Sequence, residues 1–158
     1  MIKSTEKNMK DIISKQNVWI FDIDGTLADH QGLRSPYDES KVSEDSPITP
    51  VWAVLNCLIK EYKIIFVSGR TTICEEATNY WLWKHLPNRS LFYKPYDLYM
   101  RQAGDNRKDS IVKKEIYDTK ILPYYNIIGV FDDRLQVLNM LWENNIFTFS
   151  VNQGNIEF

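Results

Sequence analysis

The chain has 158 residues, of which 44% are hydrophobic and 25% charged, and its formal net charge is −2 at pH 7. This length is typical of one globular domain. A nearly neutral chain is not a general binder of nucleic acid, because such proteins attract phosphate backbones with a large positive field. No uncharged apolar run approaches the roughly 20 residues that a transmembrane helix needs, so no membrane partner is expected.

The N-terminal stretch is polar, and residues 1–16 are predicted to be a leader ahead of a single domain over residues 17–158. No apolar segment with a small-residue cleavage site follows residues 1–10, so a secretory signal is not indicated and a cytoplasmic location is expected. Cys57 and Cys74 stand singly in segments that look helical. They are predicted to be buried free thiols rather than metal ligands.

The first predicted strand covers residues 18–21, a short apolar run that ends at Asp22 and is broken by Gly25. Residues 28–48 are rich in Ser, Asp, Glu and Pro without a period, which predicts a loop or flap. A helix is predicted to follow, with Thr49 as its N-cap and Pro50 at its first helical position. Its buried face is predicted from the spacing of Val51, Val54, Leu55 and Leu58.

The second half of the chain continues to alternate between the two kinds of element. Strands are predicted at residues 63–67, 127–131 and 146–151, and helices at residues 72–85, 109–117 and around 137–141, whereas residues 91–100 are ambiguous. This alternation predicts an α/β fold, a Rossmann-like parallel sheet flanked by helices. Ligands bind beyond the carboxyl ends of such strands, so the polar residues that follow them should converge there.

Two carboxylates at the exit of the first strand carry the sharpest chemical signal. Asp22 and Asp24 are two residues apart, so their side chains can share one face of an extended segment. Like charges held together require a cation or a shared proton, and Asp132 and Asp133 could add further oxygen ligands for Mg²⁺. The alternative is that Asp22 and Asp24 are only turn carboxylates before Gly25.

The sequence resembles the haloacid dehalogenase superfamily of phosphotransferases through four motifs in order. These are residues 21–26 (Phe-Asp-Ile-Asp-Gly-Thr), Ser68, Lys113 and the pair Asp132-Asp133. The resemblance implies that Asp22 attacks phosphorus and that Asp24 is the general acid and base. It also implies that Ser68 binds the phosphoryl group, that Lys113 offsets its charge, and that Mg²⁺ is held by Asp22, by the backbone carbonyl of Asp24 and by Asp132 or Asp133.

A closer similarity covers nearly the whole chain from residue 18 onwards and is to the 3′-phosphatase domain of bacteriophage polynucleotide kinase-phosphatase. It is carried by residues 27–28, 34–38, 67–70, 104–109, 112–116 and 131–137. The resemblance implies a substrate with a 3′-phosphate, on a nucleic-acid end or a nucleoside, with Arg34, Arg70 and Asp109 in the active site. The sequence contains no Gly-x-x-x-x-Gly-Lys-Ser/Thr loop, so removal of phosphate without kinase activity is expected, with a separate kinase or ligase acting beside it.

Several of these positions have structural alternatives. Arg34 could be a solvated flap residue, and Asp109 could be a helix N-cap or a clamp on a basic side chain. Arg134 is a substrate-binding candidate within a possible basic rim, whose charges could equally be solubilising; the rim consists of Arg101, Arg107, Lys108, Lys114 and Arg134. Three tyrosines could stack on bases or pack internally, namely Tyr93, Tyr96 and Tyr99.

The inserts between motifs are too short for a folded cap domain, which predicts a minimal flap and an open mouth. An open mouth favours a polymer end over an enclosed metabolite. The enzyme alternative is a 5′-nucleotidase or another small-molecule phosphatase with the same chemistry. An alternative of another class is a catalytically inactive module that binds phosphorylated ends.

Overall fold

The structure is a computed structural model that describes residues 15–35, 37–87 and 95–151. Its strands are β1 (Gln16–Phe21), β2 (Ala28–Asp29), β3 (Ser46–Pro47), β4 (Lys63–Thr71), β5 (Tyr96–Arg101), β6 (Tyr125–Asp132) and β7 (Thr148–Ser150). Its α-helices are α1 (Thr49–Leu58), α2 (Glu75–His85), α3 (Asp109–Ile116) and α4 (Leu135–Glu143). Two 3₁₀ segments, Glu39–Glu44 and Thr72–Cys74, and one π turn, Tyr117–Ile121, complete the elements.

Five strands form one parallel sheet in the order β5-β4-β1-β6-β7. β1 lies at the centre, and Phe21 is level with Phe66 of β4 and with Phe131 of β6. β2 and β3 form a separate antiparallel pair. The predicted α/β class with a Rossmann-like parallel sheet is therefore confirmed.

Alternation along β1 divides the core between the two faces of the sheet. Phe21 packs on one face in a cluster with Trp52 of α1 and Trp81 of α2, whereas Val18 and Ile20 pack on the other face with α4. The period of two is that of a strand buried on both faces. Because the sheet is covered on both sides, the carboxyl ends of its strands are the open edge where a site can form.

The start of α1 corrects the predicted cap. The N-cap residue is Ile48, Thr49 is already helical, and no side-chain cap bond forms. The predicted buried face is also shifted, since Val54 is 41% exposed, whereas Trp52 is buried and donates from Nε1 to the Leu27 carbonyl at 2.9 Å. This bond fixes the position of the helix, and it could not be predicted from the spacing of apolar residues.

The stretch predicted as a featureless flap has local structure in its described part. β2 and β3 pair, and the Glu39–Glu44 segment begins where the Asp38 carboxylate accepts from the Ser40 backbone at 3.1 Å. The Glu39 carboxylate also accepts from the Thr71 backbone at 2.7 Å. The elements are only two to six residues long, too short to give a period in the sequence. The prediction of a short flap in place of a folded cap agrees with this arrangement.

Other helix and strand boundaries differ between the prediction and the structure, but the order of the elements is the same. β4 runs on to Thr71, the ambiguous stretch contains β5, and β7 is shorter than predicted. Residues 88–94, and residues 1–14 of the leader predicted over residues 1–16, lie outside the described residues, whereas Gln16 already belongs to β1. Cys74 is buried as predicted, but Cys57 is exposed on α1. None of the helices in the described ranges is long and apolar enough to cross a membrane.

Candidate active site

The predicted convergence occurs at the carboxyl ends of the three central strands. Asp22 follows β1 and donates from its backbone to the Phe131 carbonyl of β6 at 2.9 Å. Ser68 lies in β4, and Asp132 is the last residue of β6. Parallel pairing in register brings these positions to one edge, and all three side chains are buried.

Lys113 of α3 links the nucleophile candidate to the third strand. Its Nζ donates to Asp22 Oδ1 and to Asp132 Oδ2, both at 2.7 Å, and the side chain is 1% exposed. Burial acts to lower the pKa of Lys113, but the charges of Asp132, Asp22 and Asp109 outweigh it and raise the pKa above its usual value. The ammonium group therefore stays charged between the carboxylates.

Three carboxylates form a cluster that fits a divalent cation. Oxygens of Asp22, Asp132 and Asp133 lie within 4.8 Å of one another. Asp133 Oδ1 is buried without a hydrogen-bond partner, and burial followed by the charge of Asp132 raises the pKa of Asp133 to about 6. Burial also raises the pKa of Asp22 well above its usual value, with Lys113 opposing it. An oxygen-only set with an unpartnered buried oxygen suits Mg²⁺.

Gly25 allows Asp133 to reach this cluster. A Cβ at position 25 would lie 2.2 Å from Asp133 Oδ2, and the backbone there has φ +82. Any side chain would therefore collide with the carboxylate and would also strain the backbone. The glycine that looked like a turn residue in the sequence is thus required by the site.

The Asp24 carboxylate faces two arginines rather than the acidic cluster. Arg70 donates from Nε to Oδ2 and from Nη2 to Oδ1, both at 2.8 Å, and Arg34 Nη2 donates to Oδ1 at 2.9 Å. Burial acts to raise the pKa of Asp24, but the hydrogen bond and charge of Arg70 and the charge of Arg34 lower it below its usual value. Arg34 is buried, so the alternative that it is a solvated flap residue is wrong.

Asp45 completes this arrangement and was missed by sequence reasoning. Its carboxylate accepts from Arg34 Nε and Nη2 at 2.7 and 2.6 Å and from Arg70 Nη2 at 2.7 Å. Its backbone carbonyl accepts from Trp81 Nε1 at 2.7 Å. A lone acidic residue in a segment without periodicity gives no local signal, and only its contact with both arginines identifies it.

Asp109 is a clamp and not an N-cap. It is the first residue of α3, whose N-cap position is Lys108. Its carboxylate accepts from Arg101 Nη2 at 3.0 Å and lies 3.6 Å from both Lys113 Nζ and Arg134 Nη1. A Cβ on Gly69 would approach Asp109 Oδ1 to 2.6 Å, so the glycine after Ser68 permits this close packing.

Most of the predicted basic rim is already paired. Arg101 donates to the carbonyls of Gly69, Asp105 and Arg107, and its side chain is only 12% exposed. Arg107 pairs with Asp105 and Glu115, and Lys114 pairs with Asp118. Arg134 keeps a half-exposed side chain next to Asp109. The charges of Arg101, Arg107 and Lys114 in the predicted rim are therefore already compensated, whereas Lys108 is exposed.

The remaining predicted residues are also placed. The Ser68 hydroxyl accepts from the Arg70 backbone at 3.2 Å and still carries a hydrogen to donate. Tyr96 is buried against Phe66 with ring centroids 5.1 Å apart, and Tyr99 packs against the second core cluster. The packing alternative therefore holds for these two tyrosines, and Tyr93 lies outside the described residues.

Comparison with known proteins identifies the family of this chain. The family model described as the polynucleotide kinase PNKP phosphatase domain matches residues 16–156. A protein of Autographa californica nuclear polyhedrosis virus, named as a bifunctional polynucleotide kinase/RNA ligase, is 37% identical over 143 residues, which are 87% of this chain and 20% of that protein. The chain thus spans about a fifth of this relative's length.

Solved structures agree in fold. A chain in the structure of the Pnkp1/Rnl/Hen1 RNA repair complex is 36% identical, with a TM-score of 0.80 over 91% of this chain and 45% of that one. The class C acid phosphatase from Bacillus anthracis is 15% identical, with a TM-score of 0.50 over 94% of this chain and 72% of that one, and shares the fold alone. The chain belongs to the polynucleotide kinase phosphatase domain family, which has the haloacid dehalogenase fold and consists of phosphoric monoester hydrolases.

Proposed function

We propose that this domain is a Mg²⁺-dependent phosphatase that removes 3′-phosphate from nucleic-acid ends through an aspartyl-phosphate on Asp22. The observation that carries the proposal is Lys113, buried and 2.7 Å from both Asp22 and Asp132. It fixes the orientation of the Asp22 carboxylate at the edge of the sheet. Covalent catalysis by a carboxylate requires such a positioned and charge-compensated nucleophile.

The reaction has two displacements at phosphorus. An oxygen of Asp22 forms a bond to phosphorus as the bond to the 3′ oxygen breaks, and Asp24 gives its proton to that leaving oxygen. Water then attacks the aspartyl-phosphate, Asp24 takes up its proton, and inorganic phosphate leaves as the Asp22 carboxylate is restored. One positioned acid and base contributes about 10²-fold or more to such a reaction.

The acidic cluster provides the cation site of this proposal. Asp22, Asp132 and Asp133 would hold Mg²⁺ together with the backbone carbonyl of Asp24, whose carboxylate is turned to the arginines. When bound, Mg²⁺ would offset the charge that gathers on the phosphoryl oxygens. Lys113 and the Ser68 hydroxyl would contact the same oxygens from the protein.

Arg34 and Arg70 set the protonation of Asp24. Their hydrogen bonds and charges hold the pKa of Asp24 low, so the carboxylate is ionised before substrate arrives. An incoming phosphate attracts the same guanidinium groups, because arginine binds phosphate and carboxylate oxygens alike. Substrate binding would therefore weaken the hold on Asp24 and favour the protonated form that the first displacement needs.

The choice of a nucleic-acid end rests on the relatives and on the short flap. One relative is named as a polynucleotide kinase/RNA ligase, and another belongs to an RNA repair complex. The described part of residues 28–48 contains no folded cap, and we therefore expect the mouth of the site to admit a polymer end. We further propose that a kinase or ligase acts beside this domain on the same ends.

The test compares matched DNA and RNA oligonucleotides that carry either a 3′- or a 5′-phosphate, together with mononucleotides. Phosphate release is expected from the 3′ ends only and should be lost with EDTA and restored by Mg²⁺. Equal or faster release from 5′ ends or free mononucleotides would support a 5′-nucleotidase or another small-molecule phosphatase. Absence of turnover on every substrate, p-nitrophenyl phosphate included, would indicate an inactive binding module.

A further inference from the structure

Three large apolar side chains are exposed on the segments that carry the arginines of the site. Leu33 is 74% exposed, Tyr37 is 92% exposed, and Ile73 is 78% exposed. Leu33 precedes Arg34, and Ile73 lies three residues after Arg70. Exposed apolar groups on the segments that carry the residues of a site are candidates for contact with a ligand.

The turn that carries Tyr37 is bonded to the active site. Arg34 Nη1 donates to the Ser35 and Asp38 carbonyls at 3.3 and 3.2 Å, and the Asp38 backbone donates to the Ser35 carbonyl at 2.9 Å. The same guanidinium group donates from Nη2 to Asp24 at 2.9 Å. One side chain therefore fixes both the proposed acid and base and the turn that presents Tyr37.

A second link joins this turn to the strand that bears Arg70. Glu39, which opens the 3₁₀ segment after the turn, accepts from the Thr71 backbone at 2.7 Å and also contacts the Thr71 hydroxyl. Val42 and Cys74 from the two 3₁₀ segments pack together in one small cluster. Tyr37 is thus held near the site by two sets of contacts although its own ring lies in solvent.

We propose that Tyr37 is a stacking platform for the base of the nucleotide whose 3′-phosphate is removed. This inference rests on the proposed function and names the feature that binds the polymer end. An aromatic ring stacks on every base because all four bases present a π face, and tyrosine offers a large area at low conformational cost. Stacking on a π face is tolerant of sequence, so the platform would bind the base without reading its identity.

The test uses two oligonucleotides of equal length with a 3′-phosphate. One carries a normal last nucleotide, and the other carries a tetrahydrofuran abasic analogue in its place. We expect Tyr37→Ala to raise KM for the normal end by about 10-fold, the size of one lost base stack, with kcat within about twofold. KM for the abasic end should be the same for the variant and the wild type. Tyr37→Phe should retain the wild-type KM, and Tyr37→Trp should match or lower it.

Tyr124→Ala is the matched control. Tyr124 is 65% exposed and directly precedes β6, at the opposite edge of the sheet from Asp132. Its loss should leave KM unchanged for both ends. The inference is overturned if Tyr37→Ala leaves KM for the normal end unchanged, or raises KM equally for both ends. A wild-type protein that releases no phosphate from either 3′ end would overturn the proposed function itself, and this inference with it.

Discussion

The two halves of the candidate site differ in how their charges are compensated. On the nucleophile side, the ammonium group of Lys113 contacts Asp22 and Asp132, and Asp133 adds a third carboxylate within 4.8 Å of theirs. On the acid and base side, Asp24 and Asp45 interleave with Arg34 and Arg70, so that two carboxylates face two guanidinium groups. The first half carries excess negative charge, whereas the second is neutral.

This difference explains why the two sides can have different tasks. Excess negative charge in a buried cluster is costly without a further cation, so the nucleophile side has a place for Mg²⁺. The neutral side is complete without any added ion and can hold Asp24 in a fixed orientation. The pKa values follow the same division, since that of Asp22 is raised by burial and that of Asp24 is lowered despite burial, chiefly by Arg70.

The largest effect is expected for Asp22→Asn. The amide has nearly the shape of the carboxylate but cannot attack phosphorus, so kcat should fall by about 10⁴-fold or more, as for other lost nucleophiles. The measurement is phosphate release from a 3′-phosphorylated oligonucleotide, with circular dichroism to confirm that the fold is kept. Near-normal turnover by a folded variant would rule out Asp22 as the nucleophile.

Asp45→Asn should lower both the stability and the activity of the protein by weakening the neutral half of the site. Arg34 and Arg70 would keep Asp24 but lose the carboxylate that joins them, and removal of one partner from a buried ion pair costs about 3–5 kcal/mol of unfolding free energy. Because Asp24 would lose its fixed position, kcat should also fall by about 10²-fold. Urea unfolding and steady-state kinetics measure the two effects.

Asp97→Asn provides the matched comparison. Asp97 pairs with Lys63 on β4 at 3.0 Å, but its side chain is 31% exposed, and the pair is remote from the catalytic residues. An ion pair with this degree of exposure contributes about 1 kcal/mol or less, so this variant should keep its activity and most of its stability. If the two variants behaved alike, Asp45 would not be a positioning residue.

Sequence reasoning succeeded where local pattern and strand order carry the information. The central strands were recognisable as short apolar runs, and the polar residues after them could be placed together because parallel strands end at one edge. Asp22, Ser68 and Asp132 were predicted in this way. In the structure, Lys113 of α3 contacts Asp22 and Asp132, so that α3 lies beside these residues. The order of elements, and with it the fold class, follows from the same alternation.

The failures concern contacts between segments distant in the chain. Asp45 gave no local signal because its role depends on Arg70, which lies 25 residues away. Arg101 looked like a rim charge, yet it bonds the carbonyl of Gly69, 32 residues away. Thr49 looked like a cap, but Trp52 fixes the helix through the Leu27 carbonyl. A single sequence contains the residue types of such contacts but not their partners.

Asp133→Asn tests whether the excess negative charge of the nucleophile half lowers the thermal stability of the protein. The pKa of Asp133 is raised to about 6, so at neutral pH its ionised form destabilises the folded state. The amide removes this charge, and Tm without metal should rise by about 2–4 °C for a gain of about 1 kcal/mol. Thermal unfolding in EDTA measures this change.

The same variant should respond little to metal. Binding to the folded wild type at Mg²⁺ concentrations of about 100 times Kd stabilises it by about 2.7 kcal/mol, whereas the variant lacks one of the three carboxylates. The expected result is a Tm that rises with Mg²⁺ for the wild type and stays nearly constant for the variant. A lower Tm for the variant in EDTA would show that the excess negative charge of the nucleophile half does not destabilise the folded state.

The smallest effects should distinguish two arginines of similar exposure. The Arg107 side chain is 50% exposed and pairs with Asp105 and Glu115, whereas the Arg134 side chain is 47% exposed and lies 3.6 Å from Asp109 beside the acidic half. Arg134→Ala should raise KM for a 3′-phosphorylated end by about 3- to 10-fold, because it removes a cation that can bind phosphate oxygens. Arg107→Ala should change KM by less than about twofold, since its charge is already compensated.

The difference in KM between the two variants should shrink as the salt concentration rises from about 0.1 M to 1 M, where the screening length falls from about 10 Å to 3 Å. Equal effects of the two variants would mean that charge compensation does not decide which cations at the mouth bind substrate.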